Sequence, residues 1–213
     1  MTDRLNKIFS NIKECEIFAD IGCDHGYIAK AMLDQKKCKK AIISDVSQKC
    51  LQKAEELLAP YIQSGCAQSV VSDGFDKVGY CDCALIAGMG GEEICSILSR
   101  ANVLPFSLIL QPMKNSDKVR VLAVSLGYKI VSDRLFRSAG KYYDLIVLEK
   151  GADVLTSEEI EFGRDNIKTY NPDFVQMISI KIEKIKEYLK NTNLKEQTRV
   201  QLTGEMEKLI KYV

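Results

Sequence analysis

A single histidine, His25, stands in a chain of 213 residues, and one imidazole cannot complete a zinc site by itself. Cysteine is not scarce, at eight, but no paired CxxC set is present. The one close pair, Cys81 and Cys83, enters a strand, so free thiols in a reducing compartment are expected, with no metal and no disulfide. An excess of one charge is also missing. The 30 Lys and Arg against 29 Asp and Glu give a formal net charge of +1, which excludes a polybasic tail as the main tool. Any nucleic-acid contact must come from local patches. No run approaches the ~20 apolar residues that span a bilayer. The amino-terminal MTDRLNKIFSNIKE lacks a signal-peptide core, so a soluble, cytoplasmic protein is expected. What is present is an ordinary globular balance, 46% apolar and 28% charged, enough for one medium domain with a small appendage.

The organising stretch is Phe18-Ala19-Asp20-Ile21-Gly22-Cys23-Asp24-His25-Gly26-Tyr27-Ile28-Ala29. It reads as a buried strand over 17–21 that ends in an acidic residue, turns at glycines and continues into a helix over 27–35. Glycine at such a turn tolerates positive φ and lets a ligand approach the main chain. Before it, Leu5, Ile8 and Ile12 have helical spacing with Thr2 as N-cap, a lid or docking helix over 3–13. After it, QKKCKK reads as a short loop, solvated or in contact with phosphate.

The second strand, 41–46, ends in Asp45 and Val46, with Asp45 placed 19 residues after Gly26. In a nucleoside-binding α/β fold a carboxylate there takes the ribose hydroxyls. Ser47 caps the next helix. A third strand, 68–72, runs into Asp73-Gly74, either a plain turn or a contact to the exocyclic amine of an adenine. The fourth strand, 82–87, opens at Ala87 into Gly88-Met89-Gly90-Gly91 and a helix. Three glycines in four positions fit main chain lying against a ligand. Strand 108–112 carries Gln111 and stops at Pro112, and a helix over 116–126 directs Val119, Leu122, Ala123 and Leu126 inward. Segments 128–136 and 142–148 form a hairpin, hence antiparallel strands. Beyond about residue 156 only helix remains. Asn171-Pro172 starts one helix with Val175, Ile178, Ile182, Ile185 and Leu189 inward. A second follows with Leu202, Met206, Leu209 and Val213.

Five β-α units predict an open parallel sheet whose ligand lies at the carboxyl ends of the central strands. With an antiparallel hairpin at its end, this α/β pattern resembles the class I S-adenosylmethionine (SAM) methyltransferase fold, Rossmann-like with seven strands. A helical, coiled-coil-like domain is appended, and the division expected is 1–154 and 155–213. More narrowly, DIGCDHGYI, ISDV, SDGF, IAGMGGEEI, LILQP and GKYYDLIVLEKG, followed by the helical pair, resemble the TrmK family over nearly the whole chain. Its members use SAM to methylate N1 of adenine 22 in bacterial tRNA. Two departures are the basic, cysteine-containing QKKCKK loop and the third helix, where residues 47–66 do not align.

The resemblance implies that Gly22, Cys23 and His25 bring main chain close to the methionine part, that Asp45 binds the ribose and Asp73 with Gly74 the adenine, and that Asp20 and Val46 also belong to the cofactor site. Ala87, Gly88 and Met89 would line the transfer point. Asp24 is expected either to orient substrate or to cap the following helix. Gln111 is expected to bond the target base or to hold the strand end, and Tyr27 to stack on a base or pack. For tRNA, residues 112–141 offer seven Lys or Arg (114, 118, 120, 129, 134, 137 and 141) against Asp117 and Asp133, a basic rim beside the site. The helices from 155 balance ten basic and ten acidic residues and would grip tRNA by shape or brace the sheet. A monomer is expected. The alternatives are a methyltransferase acting on a small molecule or protein, and a non-catalytic RNA-binding module.

Overall fold

The computed structural model describes all 213 residues. Helix α1 (Asp3–Ser10) starts where Thr2 accepts the Leu5 amide, and buries Ile8 and Phe9. The chain then alternates: β1 (Cys15–Ile21), α2 (Tyr27–Asp34), β2 (Cys38–Asp45), α3 (Gln48–Leu57), the short α4 (Ala59–Gln63) and β3 (Ala67–Val71). The second half continues with β4 (Cys83–Met89), α5 (Gly91–Arg100), β5 (Ser107–Pro112), α6 (Ser116–Ser125), β6 (Tyr128–Ser138) and β7 (Lys141–Lys150).

The seven strands form one sheet in the order β3-β2-β1-β4-β5-β7-β6. All pairings are parallel except those of β7, which runs antiparallel to both neighbours. This is the Rossmann-like, seven-stranded sheet closed by an antiparallel hairpin that was expected from the sequence. The central strands are apolar on both faces because helices cover both. One apolar cluster, built around Phe18, Ile43 and Leu85, packs under α1 to α3. The opposite cluster, around Ile21, Ile86 and Leu110, packs under α5 and α6.

Three expectations change. QKKCKK is only half loop: β2 already begins at Cys38, paired with Cys15. There the ladder hydrogen bonds outweigh local polarity, and Lys39 reaches Glu16 at 2.8 Å while the Lys37 ammonium lies 4.8 Å from the Phe9 ring. Arg120, read as part of a basic rim, is fully buried. It donates to Asp133 at 2.8 and 2.9 Å, to Asp144 at 2.8 Å and to the Ile160 carbonyl at 3.1 Å. A guanidinium can sit there because nearly all its donors find acceptors. At the carboxyl terminus Tyr212, not Val213, enters the core: Val213 is 57% exposed, while Tyr212 packs on Phe162 and Phe174.

The helical part comprises α7 (Ser157–Phe162), α8 (Arg164–Thr169), α9 (Pro172–Leu189) and α10 (Glu196–Ile210). Helices α9 and α10 are antiparallel, since Lys181 meets Glu205 and Arg199 meets the Leu189 carbonyl. Their core includes Leu135 of β6. The outer edge of β6 pairs with no further strand. Its amides at Ile130, Asp133, Leu135 and Arg137 donate instead to side chains of Asp153, Asp165, Asn166 and Asp173. An otherwise adhesive edge is thereby closed by side chains from the segment that follows the sheet.

Removing Arg120 leaves Asp133 charged, buried and short of its main partner. Arg120→Leu is expected to lower the unfolding free energy by about 3–5 kcal/mol in urea denaturation, with partial recovery in the Arg120→Leu/Asp133→Leu pair. A loss under about 1 kcal/mol would mean the pair behaves as an exposed one.

Candidate active site

The parallel ladder brings strand ends to one rim. Ile21 of β1 is in register with Ser44 of β2 on one side and Ile86 of β4 on the other. Just beyond, the Gly22 and Cys23 amides both donate to the Ser44 carbonyl, at 2.8 and 2.9 Å. The turn is therefore tied to the neighbouring strand. It needs three left-handed residues, Gly22 and Gly26 at φ +69° and Asp24 at φ +49°. A Cβ at Gly22 would meet only the flexible end of the Met89 side chain, so it is the positive φ that calls for glycine there.

Two adjoining cavities open on this rim and share Arg4, Gly22, Asp24 and Ala87. The smaller, about 100 Å³, is lined among others by Asp20, Cys23, His25 and Tyr27. The larger, about 290 Å³, is lined by Asp45, Val46, Ser72, Asp73, Gly74, Gly88, Met89, Glu93 and Ile97 in addition to the shared groups. Thus thirteen of the fourteen residues singled out from the sequence, from Asp20 to Met89 along the chain, line one or the other cavity. Gln111 does not. It is fully buried, accepting from Arg4 Nη1 at 2.7 Å and donating to the Pro112 carbonyl at 3.0 Å.

Charge in the site is mostly negative. Burial pushes the Asp20 carboxyl up to about 7, opposed by the Ala29 amide and reinforced by the Asp45 charge. A cation placed beside it would be welcome, since it would relieve that desolvation. Asp45 Oδ1 accepts the Ser47 amide at 2.8 Å, and Oδ2 is 3.4 Å from the Asp24 amide. Asp73 is neutralised by a bidentate Arg100, both contacts 3.0 Å, which holds its carboxyl below the usual range. Asp24 Oδ2 lies 2.8 Å from His25 Nδ1. The cap of α2 is Gly26, so Asp24 is not the helix cap that was the competing expectation. The Tyr27 ring stacks on His25 with centroids 5.5 Å apart and remains 45% exposed.

Several lining residues were not singled out from the sequence, among them Glu93, Ile97 and Arg4. Glu93 and Ile97 belong to α5, and the glycine run before that helix was the available signal. Arg4 had none, because its place at the rim depends on how α1 packs across the sheet. In the segment 112–141, Lys118 pairs with Glu92 at 2.5 Å and Lys129 with Glu149 at 3.6 Å. With Arg120 buried, Lys114, Arg134, Arg137 and Lys141 remain outside ion pairs. No group of three or more His, Cys, Asp or Glu is arranged to hold a metal ion.

Residues 1–146 match the methyltransferase-domain family. A Mycoplasma pneumoniae protein provisionally named a tRNA methyltransferase is 30% identical over 68% of the chain and 70% of its own length. The Bacillus subtilis tRNA (adenine(22)-N(1))-methyltransferase is 26% identical over 71% of the chain and 66% of its own length. Among solved structures, TrmK of M. capricolum in complex with the cofactor product S-adenosyl-homocysteine superposes with a TM-score of 0.87 at 25% identity, covering 100% of this chain and 97% of that one.

The raised Asp20 carboxyl has a consequence for stability. Between the unfolded value, about 3.9, and about 7 the native state holds a proton that the unfolded state lacks. Its contribution is therefore full at low pH and lost as pH rises through about 7, by up to about 4 kcal/mol. Denaturant titrations of the ligand-free protein from about pH 5 to about pH 8 are expected to show this decline, and Asp20→Asn to flatten it. Equal slopes in the two proteins would mean Asp20 is ionised throughout.

Proposed function

The chain belongs to the methyltransferase-domain family and to its TrmK branch, and from this we infer that it transfers the methyl group of S-adenosyl-L-methionine to N1 of adenine 22 in tRNA. The observation that carries the reading is the convergence of Asp20, Gly22, Asp45, Asp73 and Gly88, far apart along the chain, on two cavities that share a wall.

The cavities suit the donor. Asp20, buried and holding its proton up to about 7, faces a place where a cationic α-ammonium would lie, with Gly22, Cys23 and His25 around it. Asp45 keeps Oδ1 on its own turn and offers Oδ2 to the ribose, beside Val46. Asp73 and Gly74 receive the adenine against Ile97, where a Cβ at Gly74 would come within 2.7 Å of Ile97 Cγ2. Bound there, the donor supplies a methyl group already activated by its sulfonium.

The chain's own task is placement. Adenine N1 is a free lone pair at neutral pH, so no general base is required, and alignment of acceptor and donor supplies the rate. The acceptor enters at Ala87, which borders both cavities, and at Gly88 and Met89, which border the larger one. Its base becomes positively charged on methylation, and Asp24, common to both cavities, is the carboxylate placed to stabilise that charge. The exposed Tyr27 ring offers a stacking face. Gln111 has both ends of its amide engaged within the protein, so it positions Arg4 and the strand end instead of bonding the base. N1 lies on the pairing edge, so the nucleotide must be unpaired or turned out before reaction. Lys114, Arg134, Arg137 and Lys141, with the helices of residues 155–213 as a second unit, supply the tRNA-facing surface.

Purified protein, labelled SAM and an unmodified tRNA transcript are expected to yield N1-methyladenosine at position 22, and none when guanosine occupies that position. Label on protein alone, or on no nucleoside, would remove the tRNA reading. Asp45→Ala is expected to weaken SAM binding by about 1.5–3 kcal/mol in calorimetry, from loss of charge-assisted bonds to the ribose. Unchanged affinity would place the ribose elsewhere.

A further inference from the structure

The lysine-rich run of residues 35–40 has no part in the methyl-transfer rim. Its last residue, Lys40, belongs to β2 and lines a cavity of about 420 Å³ toward the amino ends of β2 and β3. The cavity exists because the crossover from β3 to β4, residues 72–82, forms no helix. Val78 of that loop joins Ile42 in an apolar cluster, and a hollow remains between the loop and strands β2 and β3. Its charge is of one sign. Lys40 and Lys77 are among its twelve lining residues, and no carboxylate is. Both lysines are exposed and neither enters an ion pair. The carboxylates of Glu16 and Asp76 are instead taken by Lys39, at 2.8 Å, and Arg100, at 4.0 Å.

The amides of Gly79 and Tyr80, also in the lining, donate to no acceptor of the protein. Gly79 turns at φ +74° with open space where a Cβ would stand, so the main chain there is accessible. The Tyr80 ring is 67% exposed, yet it is tethered: its hydroxyl donates to Asp82 Oδ1 at 2.6 Å. Asp82 Oδ2 in turn accepts the Ile17 amide at 2.8 Å. An aromatic face is thus kept in water beside two free cations and two free amides. This set answers a nucleotide, with cations and amides for a phosphate and a held ring for a base. We propose that the cavity receives a nucleotide of the tRNA other than the one that reacts, its phosphate on Lys40 and Lys77 and its base against Tyr80. The proposal rests on tRNA being the substrate. Lys40 stands five residues before Asp45 on β2, about 16 Å from the reaction rim at about 3.3 Å per residue. Because β3 is an edge strand, RNA seated at the rim can follow that edge to the cavity.

The test compares full-chain variants in tRNA methylation and in tRNA binding over a salt series. Lys40→Ala/Lys77→Ala is expected to raise the tRNA KM about 10-fold, with kcat and SAM affinity within about 2-fold, and to reduce the salt slope of binding by about 1.5 to 2. Tyr80→Leu is expected to raise KM about 10-fold, and Tyr80→Phe, which keeps the ring, to stay within about 3-fold of wild type. Lys39→Ala removes the same charge one residue away, outside the cavity, and is expected to behave as wild type. Circular dichroism checks that each variant folds. Unchanged KM and slope in the double variant overturn the proposal. An equal loss in Lys39→Ala also overturns it, since only general attraction would remain. Adenosine monophosphate that binds the wild type and not the double variant, with tRNA KM unchanged, would make this a site for free nucleotides and overturn it too. A wild type that neither binds nor methylates tRNA removes the substrate reading, and this proposal with it.

Discussion

Strand β1 pairs in parallel on both sides, with β2 and with β4, and the hydrogen-bond ladders fix where each strand stops. Ile21, Ser44 and Ile86 share a level in the sheet. The cavity-lining segments gather around that level: Asp20 just before it, Gly22 to Asp24 after β1, Asp45 at the end of β2, and Ala87 to Met89 at the end of β4. Register slippage of one residue would turn Asp20 from the cavity to the opposite face. The Ser44 carbonyl, accepting both the Gly22 and the Cys23 amide, locks the turn to the ladder.

Placing several carboxylates at one rim has an electrostatic cost, and the protein handles each differently. Asp73 is paired by Arg100, Asp45 accepts main-chain amides, and Asp24 remains exposed beside His25. Asp20 alone is taken out of water with no cationic partner, and its carboxyl is raised accordingly. A ligand that is cationic where it meets Asp20 would remove this penalty.

The sheet's far edge shows a different solution. Beyond β6, the chain continues as helices whose Asp165, Asn166 and Asp173 take the amides that an eighth strand would have taken. Arg120 and Arg164 tie the same junction from inside, Arg164 through Asp153 and Glu159. Helices from 157 onward have their own small core, yet Leu135 of β6 belongs to it. We propose that residues 155–213 act as a unit braced on the sheet edge, presenting a surface to tRNA beside the reaction site.

What local pattern could determine, the sequence did determine. Apolar runs marked the strands, glycines marked turns that need positive φ, and acidic and glycine residues at strand ends marked the positions that line the two cavities. These signals are short-range, and they survive in the one-dimensional text. Burial of a charged group is not short-range. Arg120 sat in what read as a basic rim, and only Asp133 and Asp144, brought by the folded hairpin, make it a core residue. Arg4 meets Gln111 across 107 residues. Which cation is buried against carboxylates, and which is held at the rim by a neutral amide, depends on partners supplied by other strands and helices. That choice was made by the tertiary structure alone, because charge solvation is decided by what surrounds a group in space.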